Sequence, residues 1–142
     1  MWRPRLIHVL GRALAVWLVL IGVEFVHGVL RAIFLAPLIG DFRARQIGVF
    51  VGSGLILVVA YLFAGWLRAP DAKSLMLVGL LWLILTGAFE FLFGHFVFGR
   101  SWRSLGEDYD VRKGGLLGFG MAVLALSPWI SARLHDSKSD RL

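Results

Sequence analysis

The sequence predicts an all-helical integral membrane protein with four transmembrane helices. Two observations on composition and one on its distribution carry this. Of the 142 residues 58% are hydrophobic and only 17% charged, with a mean hydropathy of +0.79. The apolar residues also fall into four runs, each near the roughly 20 residues that a helix needs to cross about 30 Å of hydrocarbon. Short charged turns with glycine or proline, APLIGDFRARQ, RAPDAK and RSWRSLGEDYDVRKGG, separate the runs and stop one helix before the next begins.

The first span is expected from about Ala13 to Leu35. Its head, MWRPRLIHVLGR, is basic like that of a signal peptide, but no small-residue cleavage site follows and the apolar run continues past Glu24, so it reads as a retained span. The second is expected over Ile47 to Leu67, the third over Leu75 to Phe98 and the fourth over Leu116 to Ala132, which leaves no separate soluble domain. The phenylalanine-dense FEFLFGHFVF of the third run alternates like a strand, but the apolar run around it is long enough to make a helix the better reading. Zero cysteines exclude a disulfide framework, a thiolate metal site and a thiol nucleophile. The net charge of +6 sits on residues that flank the spans, so the expected partner is the lipid bilayer with its phosphates and not nucleic acid.

Orientation is weakly written. The face holding both termini and the second loop carries eight lysines and arginines (Arg3, Arg5, Arg12, Arg68, Lys73, Arg133, Lys138 and Arg141), against seven opposite (Arg31, Arg43, Arg45, Arg100, Arg103, Arg112 and Lys113). The bias leans to cytoplasmic termini.

A duplication runs through the chain. At an offset of 66, Glu24 meets Glu90, Phe25 meets Phe91, Gly28 meets Gly94 and Gly40 meets Gly106, Asp41 answers Glu107, and Gly48, Gly52 and Gly54 meet Gly114, Gly118 and Gly120. Chance likeness between apolar helices consists of leucine and valine matches, whereas these fall on glycine and acid. The pattern predicts two parallel two-helix repeats, about 13–67 and 75–132, related by a pseudo-two-fold axis along the membrane normal. The first and third loops then share one face. Gly48, Gly52 and Gly54, with Gly114, Gly118 and Gly120, are expected to open small-residue faces for close helix packing, with a glycine-lined passage as the other reading.

Candidate functional residues follow from polarity at depth. Glu24, His27 and Arg31 stand at i, i+3 and i+7 and share about a 60° sector of one helix. A charge near the middle of a span costs roughly 2.5–3.5 kcal/mol on insertion scales, so Glu24 should face the bundle interior with a partner. The third span carries Glu90 and His95 and ends at Arg100, three residues that do not share a face. At offset 66 the partners of His27 and Arg31 are Phe93 and Val97, so one Arg31 is expected to serve both glutamates. Such a pair binds a cation, passes protons, or forms a buried ion-pair network that fixes helix register. Glu24-x-x-His27 has the spacing of carboxylate-bridged di-iron bundles but lacks a second copy, and His27 with His95 offers a two-histidine haem site. In the turns, Asp41, Arg43, Glu107 and Asp108 form either a solvated salt-bridged cluster or a vestibule that concentrates ions. Trp102, within RSWRS, reads as an interfacial anchor in a short helix.

The run HGVLRAIFLAPLIGDFRARQIGVFVGSG, with FGRSW and its acidic turn, resembles a family of small four-span bacterial inner-membrane proteins without an assigned function. The resemblance implies a bacterial inner-membrane location and supplies no reaction, cofactor or site residue. A bundle this small encloses little volume, so a homo-oligomer or a place in a larger assembly is expected. Three functions remain open: permeation of an ion, proton or small solute through an oligomeric bundle, with Glu24 and Glu90 binding and His27 with Arg31 tuning; an accessory subunit that stabilises a larger complex; and a haem, metal or quinone protein. Enzymatic activity is not expected.

Overall fold

The computed structural model describes residues 2–67 and 71–140, and Arg68 and Arg141, counted above for orientation, lie outside them. The described residues are all-helical. Helix α1 (Trp2–Leu30) runs into a π-helical turn (Arg31–Leu35) and a short α2 (Ala36–Ile39); α3 (Asp41–Leu67), α4 (Ala72–Phe96), α5 (Trp102–Glu107), a 3-10 turn (Val111–Lys113) and α6 (Leu117–Asp140) follow. Four helical stretches are long and apolar enough to cross a membrane: Leu6–Ile39, Asp41–Leu67, Ala72–Phe96 and Leu117–His135. Most exceed the spans read from hydropathy, because their charged ends are rich in arginine, lysine and alanine, which continue a helix as readily as apolar residues do.

Each interruption has a local cause. Pro37 has no N–H and its ring presses on the carbonyl four residues back, so the ladder widens into the π turn just before it. Gly40 then turns the chain at φ 93°, a value that favours glycine, and α3 starts at Asp41, whose carboxylate stands at the positive helix end. Asp71 caps α4 by accepting from the Ser74 N–H at 2.9 Å, and Ser101 caps α5 by accepting from the Ser104 N–H at 3.0 Å. Inside α6, Pro128 cannot donate to the Leu124 carbonyl, and the Ser127 hydroxyl donates to it instead at 2.7 Å.

Packing sets the helices in a ring. Helix α1 packs on α3 and α4, and α6 packs on α3 and α4, so α1 and α6 hold opposite corners. The Trp82 indole N–H donates to the Ala13 carbonyl and that of Trp17 to the Thr86 hydroxyl, both at 2.9 Å and both across 69 residues. On the other side of the ring Gln46 donates to the Gly114 carbonyl and Phe50 packs on Phe119. Thus α1 runs parallel to α4 and α3 to α6, and the second hairpin lies beside the first, displaced almost by a translation. This corrects the expected two-fold axis. Such an axis would place α1 and α4 at opposite corners, whereas the indole hydrogen bonds make them neighbours.

The expected glycine faces also need correction. Gly114 lies outside α6, where it ends the 3-10 turn at φ 83°, and a Cβ on Gly54 would meet nothing within 4 Å among the described residues, so neither draws two helices together. The tightest helix approach is at Gly79, where an added Cβ would stand 2.0 Å from the Ala125 carbonyl oxygen of α6. Around this contact Val78, Trp82 and Leu67 are sealed from solvent. Gly79→Ala is expected to force α4 from α6 and cost about 1–3 kcal/mol, measurable as a lower midpoint in denaturant unfolding of the micellar protein.

Candidate functional site

Where the first and third loops meet, the four long helices part around a cavity of about 470 Å³. The polar stripe of α1 faces into it: Glu24, His27 and Arg31 all line the wall, as their shared sector requires. Glu90 enters from α4 and Arg100 from the turn after it. Asp41 and Arg45 come from the first turns of α3, and Asp108 from the turn after α5.

Gly48 and Gly52 explain how polar side chains fit between helices. A Cβ on Gly52 would stand 2.8 Å from Glu24 Oε2, and one on Gly48 would stand 3.2 Å from Arg31 Nη1. These glycines of α3 therefore seat the Glu24 carboxylate and the Arg31 guanidinium, in place of a neighbouring helix backbone. One helical turn, about 6 Å, separates the two seats. In the second half a Cβ on Gly120 would meet Val49 and Ser53, and one on Gly118 would stand 3.9 Å from the Tyr109 ring.

Charges at the site are incompletely paired. Glu24 has His27 Nδ1 at 3.6 Å, while its buried Oε1 accepts no hydrogen bond among the described residues. Among the described residues Glu90 has no ion pair within 4 Å, although Arg31, Asp108 and Arg100 all act on it electrostatically. Arg31 lies in the combined field of Glu90, Asp108, Arg100 and Glu24, and its buried Nε donates to none of them. The single arginine thus stands near both glutamates without clasping either.

Asp108 organises the loop end. It is 8% exposed and takes Arg100 at 2.9 Å and Arg45 at 3.3 Å, while Arg45 also pairs with Asp41. The Arg100 guanidinium further donates to the Ser104 hydroxyl at 3.0 Å. The next residue, Tyr109, stacks on Phe91 with ring centroids 5.5 Å apart. Burial, reinforced by the nearby Glu90 and Asp108, pushes its hydroxyl up to about 12, so it stays protonated and its buried oxygen has no hydrogen-bond partner among the described residues.

Other candidates lie elsewhere. His95 Nδ1 donates to the Arg100 carbonyl, 2.8 Å away, and the ring stacks on Trp102 at 3.8 Å, which fixes the α4–α5 turn outside the cavity lining. It does not join His27 as a pair of axial ligands, and among the described residues no three histidine or acidic side chains converge as a metal site. Arg43 is exposed, and Glu107 takes Arg103 at 3.8 Å on the surface, so the vestibule keeps Asp41 and Asp108 alone of its four members. Sequence reasoning passed over Arg45 and Tyr109. Arg45 was visible in principle, since positions 45, 48 and 52 share one face of α3 with the seating glycines; nothing local marked Tyr109.

No protein-family model, curated protein or solved structure matches this chain.

Two predictions follow from the loop end. Asp108→Ala leaves Arg45 and Arg100 without their shared carboxylate and should cost about 3 kcal/mol, read as a lower unfolding midpoint in micelles. For Tyr109 the folded form holds its proton longer than the unfolded form, whose ordinary value is 10.0. Stability should therefore be unaffected below about pH 10 and fall as pH rises from about 10 to about 12, and Tyr109→Phe should remove that part of the loss.

Proposed function

We propose that the chain is a permeation protein of a bacterial inner membrane that binds one proton or monovalent cation at Glu24 and Glu90. The observation that supports this is the charge balance of the cavity wall. Four acids, Glu24, Asp41, Glu90 and Asp108, face three arginines, Arg31, Arg45 and Arg100. With His27 neutral the wall is one positive charge short. Asp41 and Asp108 are taken up by arginines, so the shortfall falls on the two glutamates.

A charge held in apolar surroundings without a counter-ion costs several kcal/mol, and a bound cation or proton removes that cost. The cavity lies within one chain, so the reading does not need an oligomer to build the site; association of copies then concerns stability or passage. Arg31 limits the site to one charge, because a second cation would meet its guanidinium.

Reconstituted in vesicles, the protein should carry a proton or monovalent-cation current that the Glu24→Gln, Glu90→Gln double variant abolishes while its helicity and unfolding midpoint stay near those of the parent. Unchanged current in a folded double variant would sink the proposal.

A further inference from the structure

We infer that the cavity takes an amphipathic organic ammonium or phosphonium ion, with its charge at Glu24 and Glu90 and its apolar body against Phe25, Phe89, Phe93 and Phe98. This rests on the cation reading above and names the class of cation. A proton or a bare alkali ion leaves almost all of a 470 Å³ cavity unused, whereas this is the volume of a small organic ligand.

The wall beside the carboxylates is aromatic. All four phenylalanines line the cavity, with Phe25 next to Glu24 on α1, and Phe89 and Phe93 one residue before and three after Glu90 on α4. Phe93 is the hub: its ring stacks on Phe89 at 4.8 Å and 13°, meets Phe25 edge-on at 6.0 Å, and meets Phe98 at 5.4 Å. Ring faces attract a weakly hydrated cation, and flanking carboxylates add the counter-charge that such a cation lacks in hydrocarbon. No arginine stacks on these four rings among the described residues, so their faces are not already taken by a cation of the chain.

Access follows the same wall. Phe25, Ile33 and Phe98 line the cavity and are also 45%, 58% and 63% exposed, so the apolar lining continues onto the flank of the bundle that lipid covers. A hydrated inorganic ion gains nothing from such a route. An amphipathic cation already dissolved in the bilayer interface can slide along it, charge toward the glutamates.

The test uses the full chain in nanodiscs with tritiated tetraphenylphosphonium as the probe and empty nanodiscs as the reference. Saturable binding above the reference is expected, weakened about tenfold or more in the double glutamine variant and severalfold in Phe93→Leu, which keeps bulk and loses the ring face. Tetraphenylborate, of the same shape and opposite charge, should not compete. Binding no greater than in empty nanodiscs, or unaltered by the glutamine changes, overturns the inference. If the vesicle current still depends on the glutamates in that case, the proton or inorganic-cation reading survives alone; if it does not, both fall. Phe93→Leu leaves the carboxylates in place, so it reads the aromatic wall even if the double variant fails to fold.

Discussion

Two indole hydrogen bonds set the register on which the rest of the bundle depends. Trp82 reaches the Ala13 carbonyl and Trp17 reaches Thr86, and together they hold α1 and α4 parallel at a stagger of 69 residues. Lipid offers helices no hydrophobic reason to associate, so directed contacts of this kind and close packing decide how they meet. A stagger near the offset of 66 between Glu24 and Glu90 brings the two acids to within a turn of the same level. Sliding α4 by two turns, about 11 Å, would carry Glu90 away from Glu24 and Arg31. The indoles thus determine that the bundle has one polar site and not two isolated charges.

Keeping that site inside an apolar bundle needs space as well as register. Gly48 and Gly52 remove side chains where Arg31 and Glu24 must lie, and Asp108 draws Arg45 and Arg100 together at the loop end. The phenylalanines fill the remaining flank with atoms that need no hydrogen bond. Polar and apolar parts of the wall are therefore complementary, and α1 and α4 each supply both.

Much of this was legible in the sequence, for reasons that differ by residue. The four spans were visible because crossing a membrane demands a length of apolar chain that little else demands. The stripe of Glu24, His27 and Arg31 was visible because helical periodicity converts spacing into direction, and all three face the cavity. Glycine roles were not, because a glycine makes room without saying for what: Gly48 and Gly52 seat side chains, Gly114 turns the chain, and the close helix contact falls at Gly79, which the repeat did not mark. Helix arrangement was misjudged since offset identities state that two hairpins are alike and are silent on whether rotation or translation relates them. Whether the likeness reflects a duplication in ancestry is a separate proposal, although each half runs long helix, interruption, short helix, long helix. His95 was drawn to a stacked turn by Trp102, a contact between neighbours that periodicity along one helix does not register.

The tight approach of Gly79 to Ala125 lies on the far side of Trp82 from Glu90, between the cavity and the end of the bundle that carries the chain termini. The buried Val16, Leu20, Trp82 and Leu124 fill the bundle above that contact, so the chamber is a blind one, open toward the loops and the flank. Anything admitted at the glutamates returns the way it came unless α4 and α6 separate at that contact. In mechanical terms the molecule is a clothes-peg: jaws that already stand apart around the charged groups, and a spring where a glycine lets two backbones touch. The stiffness of that spring, and not the chemistry of the jaws, then governs whether the chamber ever connects to the end of the bundle that carries the termini.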